Sequence, residues 1–300
     1  MRDMGPHERP RVHVSGPVPA RITAELERDF DLVDGHAGAD GILSLLGTTV
    51  DDEYLEQAGP GLEVVANYAV GVNNIDLDAA RRRGVAITNT PDVLTKTTAE
   101  LAITLMLTLL RRVAEGDRML RRREPWQFTL EFMLGESLEG KVLGIVGAGR
   151  IGGETARLAE AFGAVPIYAG RGDPLPDLLA HADVVSIHCP LTAETRHLID
   201  GAALGHMRST AVLVNTARGP IVDEAALVAA LRSGAIAGAA LDVFEFEPAV
   251  TEELLALENV VLSPHLGSAT RRTREAMGML AVEALRSVLL RGERPPNTVG

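Results

Sequence analysis

Three polar residues stand at the ends of strand-like runs in the C-terminal half of the sequence, or in the loops just after them: Arg218, Glu247 and His265. In an open α/β sheet the ligand lies beyond the carboxyl ends of the strands, so side chains at such positions converge on one crevice. The three residue types form a chemical set. The planar fork of Arg218 suits a carboxylate held by two hydrogen bonds, and its charge polarises a neighbouring carbonyl. His265 titrates near neutrality and suits delivery of a proton to an alkoxide. Glu247 beside His265 favours the charged form of the imidazole. Those are the tasks in reducing a 2-oxo acid at its carbonyl. Each residue alone has an ordinary alternative: Arg218 before Gly219 and Pro220 fits a surface turn, Glu247 before Pro248 a helix cap, and His265 after Pro264 a satisfied loop histidine. Their occurrence together, in this order, favours the chemical reading.

A hydride must come from somewhere, and the strand-like run 141–146 is followed at once by Gly147-Ala148-Gly149-Arg150-Ile151-Gly152 and then a helix-forming stretch. The first glycine makes the tight turn, the second admits a pyrophosphate, and the third lets helix and strand pack closely, with the helix N-terminus facing the phosphates. The motif alone is weak, but between a strand and a helix it signals a dinucleotide. NAD-specific sites place an acidic residue about 20 residues further on, at the end of the second strand, for the ribose hydroxyls. Here that stretch reads Ile167-Tyr168-Ala169-Gly170-Arg171. Glycine leaves room for a 2′-phosphate and Arg171 offers it a charged fork, so NADP(H) is the expected cofactor, with NAD(H) possible. Asp173 lies close enough in sequence to complicate the local field.

The elements that must hold these residues are legible from alternation of strand-like and helical patterns. Runs at 11–15, 41–46, 62–67 and 85–88 look like strands, 78–83 is a helix ending at Gly84, and 96–122 reads as one long helix, apolar in its middle and basic at its end. A second alternation has strand-like runs at 141–146, 164–168, 183–188, 211–215, 236–241 and 259–262. A final helix at 273–291 leads into a proline-rich tail, expected to return to the first domain. The fold class is therefore α/β with two doubly wound parallel-sheet domains. The larger is a Rossmann dinucleotide-binding domain at 97–271; the smaller is discontinuous, 1–96 plus 272–300, and carries the substrate role.

Bulk properties narrow the function. With 29 Lys+Arg against 41 Asp+Glu, the net charge of −12 opposes nucleic acid and anionic membranes. The arginine clusters at 81–83, 121–123 and 271–272 read as capping or solvated. One cysteine, Cys189, excludes an intrachain disulfide and a cysteine-based zinc site, and His181, His188 and His197 lack metal-ligand spacing, so no metal is expected. The charged, proline-containing N-terminus is unlike a signal peptide and the best apolar run, 101–110, is too short to span a bilayer, which makes the cytoplasm the default. Trp126 reads as a core residue.

Six segments together resemble the D-isomer-specific 2-hydroxyacid dehydrogenases, most closely the glyoxylate/hydroxypyruvate reductases. They are Tyr68-Ala69-Val70-Gly71-Val72-Asn73-Asn74-Ile75-Asp76, Thr88-Asn89-Thr90-Pro91-Asp92-Val93-Leu94, the glycine motif, Asn215-Thr216-Ala217-Arg218-Gly219, Leu241-Asp242-Val243-Phe244-Glu245-Phe246-Glu247-Pro248 and Ser263-Pro264-His265-Leu266-Gly267-Ser268-Ala269-Thr270. The resemblance implies Arg218 as binder of the substrate's carboxylate and carbonyl, His265 as proton donor and Glu247 as its partner. It implies that the backbone at Val70 and Gly71 takes the substrate carboxylate and that Asp242 holds the nicotinamide carboxamide. Cofactor contacts are implied at Gly147, Gly149, Arg150, Ile151, Gly152, Gly170, Arg171, Pro190, Thr216, Gly267 and Ser268. It further implies a homodimer built on the cofactor domains, glyoxylate or hydroxypyruvate as substrate, and Phe132 near the substrate pocket as an alternative to core packing. Two alternatives stay open: a related dehydrogenase of the 3-phosphoglycerate type, and a non-catalytic NAD(H)-sensing, corepressor-like protein. The sequence departs from its relatives after Ala169, where about twelve residues precede the next helix-strand passage and the family usually spends more.

Overall fold

The computed structural model describes residues 9–299. Residues 1–8, where the sequence argues against a signal peptide, lie outside the described residues. Two compact units are present: one formed by the chain up to Leu94 together with the chain from Thr270 onward, the other by Thr95–Ala269.

Among the described residues the first unit has five parallel strands, β1 (Arg11–Val14), β2 (Asp31–Val33), β3 (Gly41–Ser44), β4 (Val64–Asn67) and β5 (Ala86–Thr88), in the order β2-β1-β3-β4-β5. That is the flavodoxin-like order, doubled back at the first strand. Alternate strand residues Ile42, Val65 and Ile87 pack on one face against Leu55, Ala79 and Ala80. On the other face the long helix Arg271–Arg291 lies so close that a side chain on Gly41 would meet Leu289 and Leu285 at 2.8 and 2.9 Å. The sequence pattern missed β2. Its Asp31 and Leu32 are exposed, so this edge strand lacks the apolar alternation that marks a strand. The last helix begins before 273 because Thr270 caps it, its hydroxyl accepting the Thr273 amide. Beyond that helix, Thr298 bridges to Thr88 and the Val299 amide donates to the Ile87 carbonyl at 2.7 Å.

The second unit carries six parallel strands among the described residues: β6 (Val142–Val146), β7 (Val165–Ala169), β8 (Val184–Ile187), β9 (Val212–Asn215), β10 (Gly238–Leu241) and β11 (Val260–Leu262), in the order β11-β10-β9-β8-β6-β7. Period-two alternation splits their side chains between two cores. Val185, Ile187, Leu213, Ala239 and Leu241 enter one; Val184, Val212, Val214 and Ala240 enter the other, against the helices Thr95–Leu110 and Arg150–Glu160. The order reverses between β6 and β8, with two strands on one side of that point and four on the other. The usual dinucleotide-binding sheet has three and three. The short passage after Ala169 thus removes the outermost strand, and β7 is an edge.

The single helix expected over 96–122 is two, Thr95–Leu110 and Val113–Arg121. Arg112 takes a left-handed φ of 55°, and the Leu110 carbonyl accepts the Glu136 amide at 2.9 Å. Gly135 makes this approach possible: a Cβ there would lie 2.4 Å from the Leu110 oxygen. A carbonyl captured from 26 residues away ends the helix where local pattern continues it. Trp126 is also not in the core, being 52% exposed and stacked on Phe132 at 5.8 Å between ring centres.

Candidate active site

Strand ends of the second unit place the polar residues singled out above. β9 ends at Asn215, whose side chain brackets the following turn: its oxygen accepts the Ala217 amide at 3.0 Å and its nitrogen donates to the Arg218 carbonyl at 2.9 Å. Arg218 is half-buried, and the one side-chain hydrogen bond it makes among the described residues runs to the Ala217 carbonyl at 2.6 Å. The remaining N–H groups are available to a ligand. Burial draws the guanidinium's pKa down, while the charge of Glu247 pulls it back up.

Beyond β10, the Glu247 carboxylate accepts the Phe244 amide at 2.9 Å with one oxygen and meets His265 Nδ1 at 2.9 Å with the other. Burial raises the Glu247 pKa, but the hydrogen bonds from His265 and Phe244 and the charges of His265 and Arg218 outweigh it, so the carboxyl sits below its ordinary value. It is an anion at neutral pH, and His265 and Arg218 both act on it electrostatically.

His265 follows β11 in a left-handed conformation, φ 54°, which a residue other than glycine adopts only when its surroundings impose it. Asp242 imposes it. Its backbone carbonyl accepts the His265 amide at 2.8 Å, and its side-chain oxygens accept the Leu266 and Gly267 amides at 2.7 and 2.8 Å. Asp242 is 1% exposed, and burial raises its pKa against these hydrogen bonds. The observed work of this residue is therefore to shape the loop bearing His265, Gly267 and Ser268.

The glycine motif has the geometry the sequence called for. Gly147 has φ 96°, and a Cβ there would lie 2.5 Å from the Cys189 amide nitrogen. Gly149 faces open space and precedes the helix Arg150–Glu160 without a side-chain cap, while a Cβ on Gly152 would strike the Gly147 carbonyl at 2.2 Å. An anion fits such an uncapped N-terminus. Thr216, just after β9, has a buried hydroxyl without a hydrogen-bond partner among the described residues, so a polar group of a bound dinucleotide also fits. Nearby, the Pro190 carbonyl accepts the Thr195 hydroxyl at 2.7 Å. At the end of β7 the Gly170 amide donates to Asp173 Oδ2 at 2.7 Å. The Glu194 carboxyl is held below its usual range by Thr192, by its own amide and by the charge of Arg171.

In the first unit, the loop after β4 is tied down by its carbonyls: Asn89 donates to Val70 and Asn67 to Gly71, both at 2.8 Å. Among the described residues the amides of Val70 and Gly71 have no partner, which suits them to an anionic ligand.

The histidines set aside from the sequence have ordinary surroundings. His188 is driven by burial to about 4 and is neutral, with Nε2 2.9 Å from the Ser186 hydroxyl; His197 pairs with Glu245. Burial also raises the Cys189 thiol to about 11, which makes it unreactive. Among the described residues no cluster can hold a metal ion and no helix is long and apolar enough to cross a membrane. Sequence reasoning missed the loop-holding amides Asn67, Asn89 and Asn215. The signal was available for two of them, since Asn67 and Asn215 each end a strand.

Residues 103–267 match the family described as D-isomer specific 2-hydroxyacid dehydrogenase, NAD binding domain. The chain is 43% identical to a glyoxylate reductase of Korarchaeum cryptofilum, the match covering 97% of this chain and 96% of that protein. The crystal structure of a protein from Thermus thermophilus superposes with a TM-score of 0.89 at 41% identity, covering 97% of this chain and 100% of that one. The NADPH-dependent glyoxylate/hydroxypyruvate reductase of Sinorhizobium meliloti, solved with NADP and malonate, gives 0.87 at 36% identity and covers 98% of this chain and 97% of that one.

Proposed function

The chain belongs to the D-isomer-specific 2-hydroxyacid dehydrogenases, and from that premise we propose that it reduces a small 2-oxo acid with NADPH as preferred donor, glyoxylate to the achiral glycolate or hydroxypyruvate to the D-2-hydroxy acid. The observation that carries this reading is the His265–Glu247 pair at 2.9 Å with Arg218 acting on the same carboxylate. A dinucleotide would be held at Gly147, Gly149, Gly152 and Thr216 and, when bound, would supply the hydride. Arg218 engages the substrate's carboxylate and draws electron density toward the carbonyl oxygen. As that oxygen gains charge, His265 gives it a proton from Nε2, while Nδ1–H donates to Glu247. The anionic Glu247 stabilises the imidazolium before transfer and keeps the ring oriented. In the first unit, the amides of Val70 and Gly71, without a partner among the described residues, suit an anionic group. Purified protein should oxidise NADPH with glyoxylate or hydroxypyruvate; absence of turnover with every small 2-oxo acid in a panel, with either cofactor, refutes the proposal.

The preference for NADPH rests on Gly170 and Arg171 at the end of β7, where the NAD-selecting carboxylate is replaced by glycine and Arg171 supplies a cation for a 2′-phosphate. Asp173, bonded to the Gly170 amide, works against it. A charge-assisted contact from Arg171 corresponds to an NADPH preference of about 10- to 100-fold. Arg171→Ala should lower the ratio of catalytic efficiencies for NADPH over NADH by that factor, and Asp173→Asn should raise it. Equal or better use of NADH by the unaltered enzyme, or an unchanged ratio in Arg171→Ala, shows that this loop does not select the cofactor.

A further inference from the structure

Two buried carboxylates have no part in the chemistry above. Glu224, 3% exposed, opens the helix Glu224–Ser233, and Glu245, with its side chain 8% exposed, stands two residues before Glu247. Carboxyl groups are buried only when their oxygens find hydrogen-bond partners. Here each takes the other's backbone amide. The Glu245 amide donates to Glu224 Oε1 at 2.6 Å, and the Glu224 amide donates to Glu245 Oε2 at 3.4 Å. The Thr251 hydroxyl donates to the second oxygen of Glu224. Opposite charge comes from Arg196 at 3.8 Å, and His197 adds a close polar contact, its Nε2 2.6 Å from Glu245 Oε1.

This pair lies between the two elements that carry chemistry. On one side, the amide preceding Glu245, that of Phe244, is the one that Glu247 accepts, so consecutive amides of one turn are held by Glu247 and by Glu224. On the other side, a Cβ on Gly219 would fall 1.8 Å from the Phe244 carbonyl oxygen, so the backbone next to Arg218 rests directly on the same turn. His197 closes the arrangement, because its amide donates to the Pro220 carbonyl at 2.9 Å, two residues after Arg218.

We propose that the reciprocal Glu224–Glu245 pair, with His197 as its close polar partner, is a positioning clamp that fixes the turn bearing Glu247 against the strand end bearing Arg218. This rests on the catalytic reading of Glu247 and Arg218 given above. Because it acts through their placement, its loss lowers turnover and spares cofactor binding. Glu245→Ala should reduce kcat by about 10- to 100-fold, the cost of displacing a reacting group by a fraction of an ångström to an ångström. The cofactor's KM should stay within about twofold. Glu245→Gln should recover most of the loss, since its side-chain oxygen still accepts the Glu224 amide. His197→Ala, at a side chain 38% exposed, removes the hydrogen-bond partner of Glu245 without a buried void and should lower kcat in the same direction by a smaller factor. Hydrogen exchange supplies a readout independent of substrate: the Phe244 and Glu245 amides should exchange at least about tenfold faster in Glu245→Ala and in His197→Ala, with the strand amides of β9 and β10 unchanged. A folded Glu245→Ala with kcat within about twofold of the parent, a Glu245→Gln as impaired as the alanine, or unaltered exchange overturns the clamp. If the parent enzyme turns over no 2-oxo acid, the functional reading fails, and exchange at Phe244 and Glu245 alone decides the clamp.

Discussion

His265→Ala is expected to lower kcat for reduction of a 2-oxo acid by about 100-fold or more, the usual size of a lost general acid, while cofactor affinity changes by no more than about twofold. The separation follows from where the parts sit. The cradle at Gly147–Gly152 follows β6, whereas His265 follows β11 and is held by Asp242 and Glu247. Alanine also loses something besides the imidazole, because position 265 has φ 54° and asparagine tolerates that conformation better than most residues. His265→Asn therefore keeps the backbone and removes the acid. If the loss is chemical, both variants fall together. If asparagine restores turnover, the residue's value is conformational and the proton must come from elsewhere. The intact enzyme should show a matching pH dependence: hydrogen bonds from His265 and Phe244 and the charges of His265 and Arg218 outweigh burial and hold the Glu247 carboxyl below its ordinary value, so the contribution of this carboxylate should persist through neutral pH and be lost only as pH falls below the ordinary carboxylate range. Near-normal turnover in His265→Ala removes this residue from the mechanism.

The second large effect is expected at Arg218→Lys. Lysine preserves the charge, so an account based on charge alone forecasts a mild loss. The structure points to the fork. One terminal nitrogen is committed to the Ala217 carbonyl at 2.6 Å, which fixes the guanidinium plane and leaves its other donors to meet a carboxylate in a set direction. An ammonium on a flexible stem has no such plane and, half-buried, is costlier to desolvate. The expected fall in catalytic efficiency is about 100-fold, from lost bidentate contact and lost orientation together. It should appear in the substrate's KM and in kcat and leave the cofactor's KM unchanged. Wild-type efficiency in the lysine variant contradicts the bidentate role.

These two residues and Glu247 were legible because each follows a strand, and strand ends in open α/β sheets form binding edges. The glycine motif was legible for a similar reason: the requirements at Gly147 and Gly152 are local, a positive φ at one and a carbonyl within 2.2 Å of the missing Cβ at the other. What escaped the sequence depends on partners far away in the chain. The end of the helix at Leu110 is set by Glu136, and the environment of Glu245 by Glu224, Thr251 and His197. β2 escaped because an exposed edge strand has no apolar period to detect. The contacts of Asp242 are of the same kind: its two oxygens accept the Leu266 and Gly267 amides of the loop after β11, a pairing that no spacing rule conveys.

The sheet that ends at β7 has a consequence for solubility. A bare parallel edge presents a row of unpaired amides and carbonyls to any strand that passes, which is how chains recruit one another into aggregates. Val165 and Tyr168 on this strand are 55% and 51% exposed, so the edge is apolar as well as open. Pro166, paired in register with Leu143 of β6, removes one donor from that edge, and its ring fits only where no further strand is to be added. The chain dispenses with an outer strand and sets a proline where one would have joined, so the shortened sheet does not offer its margin as a template.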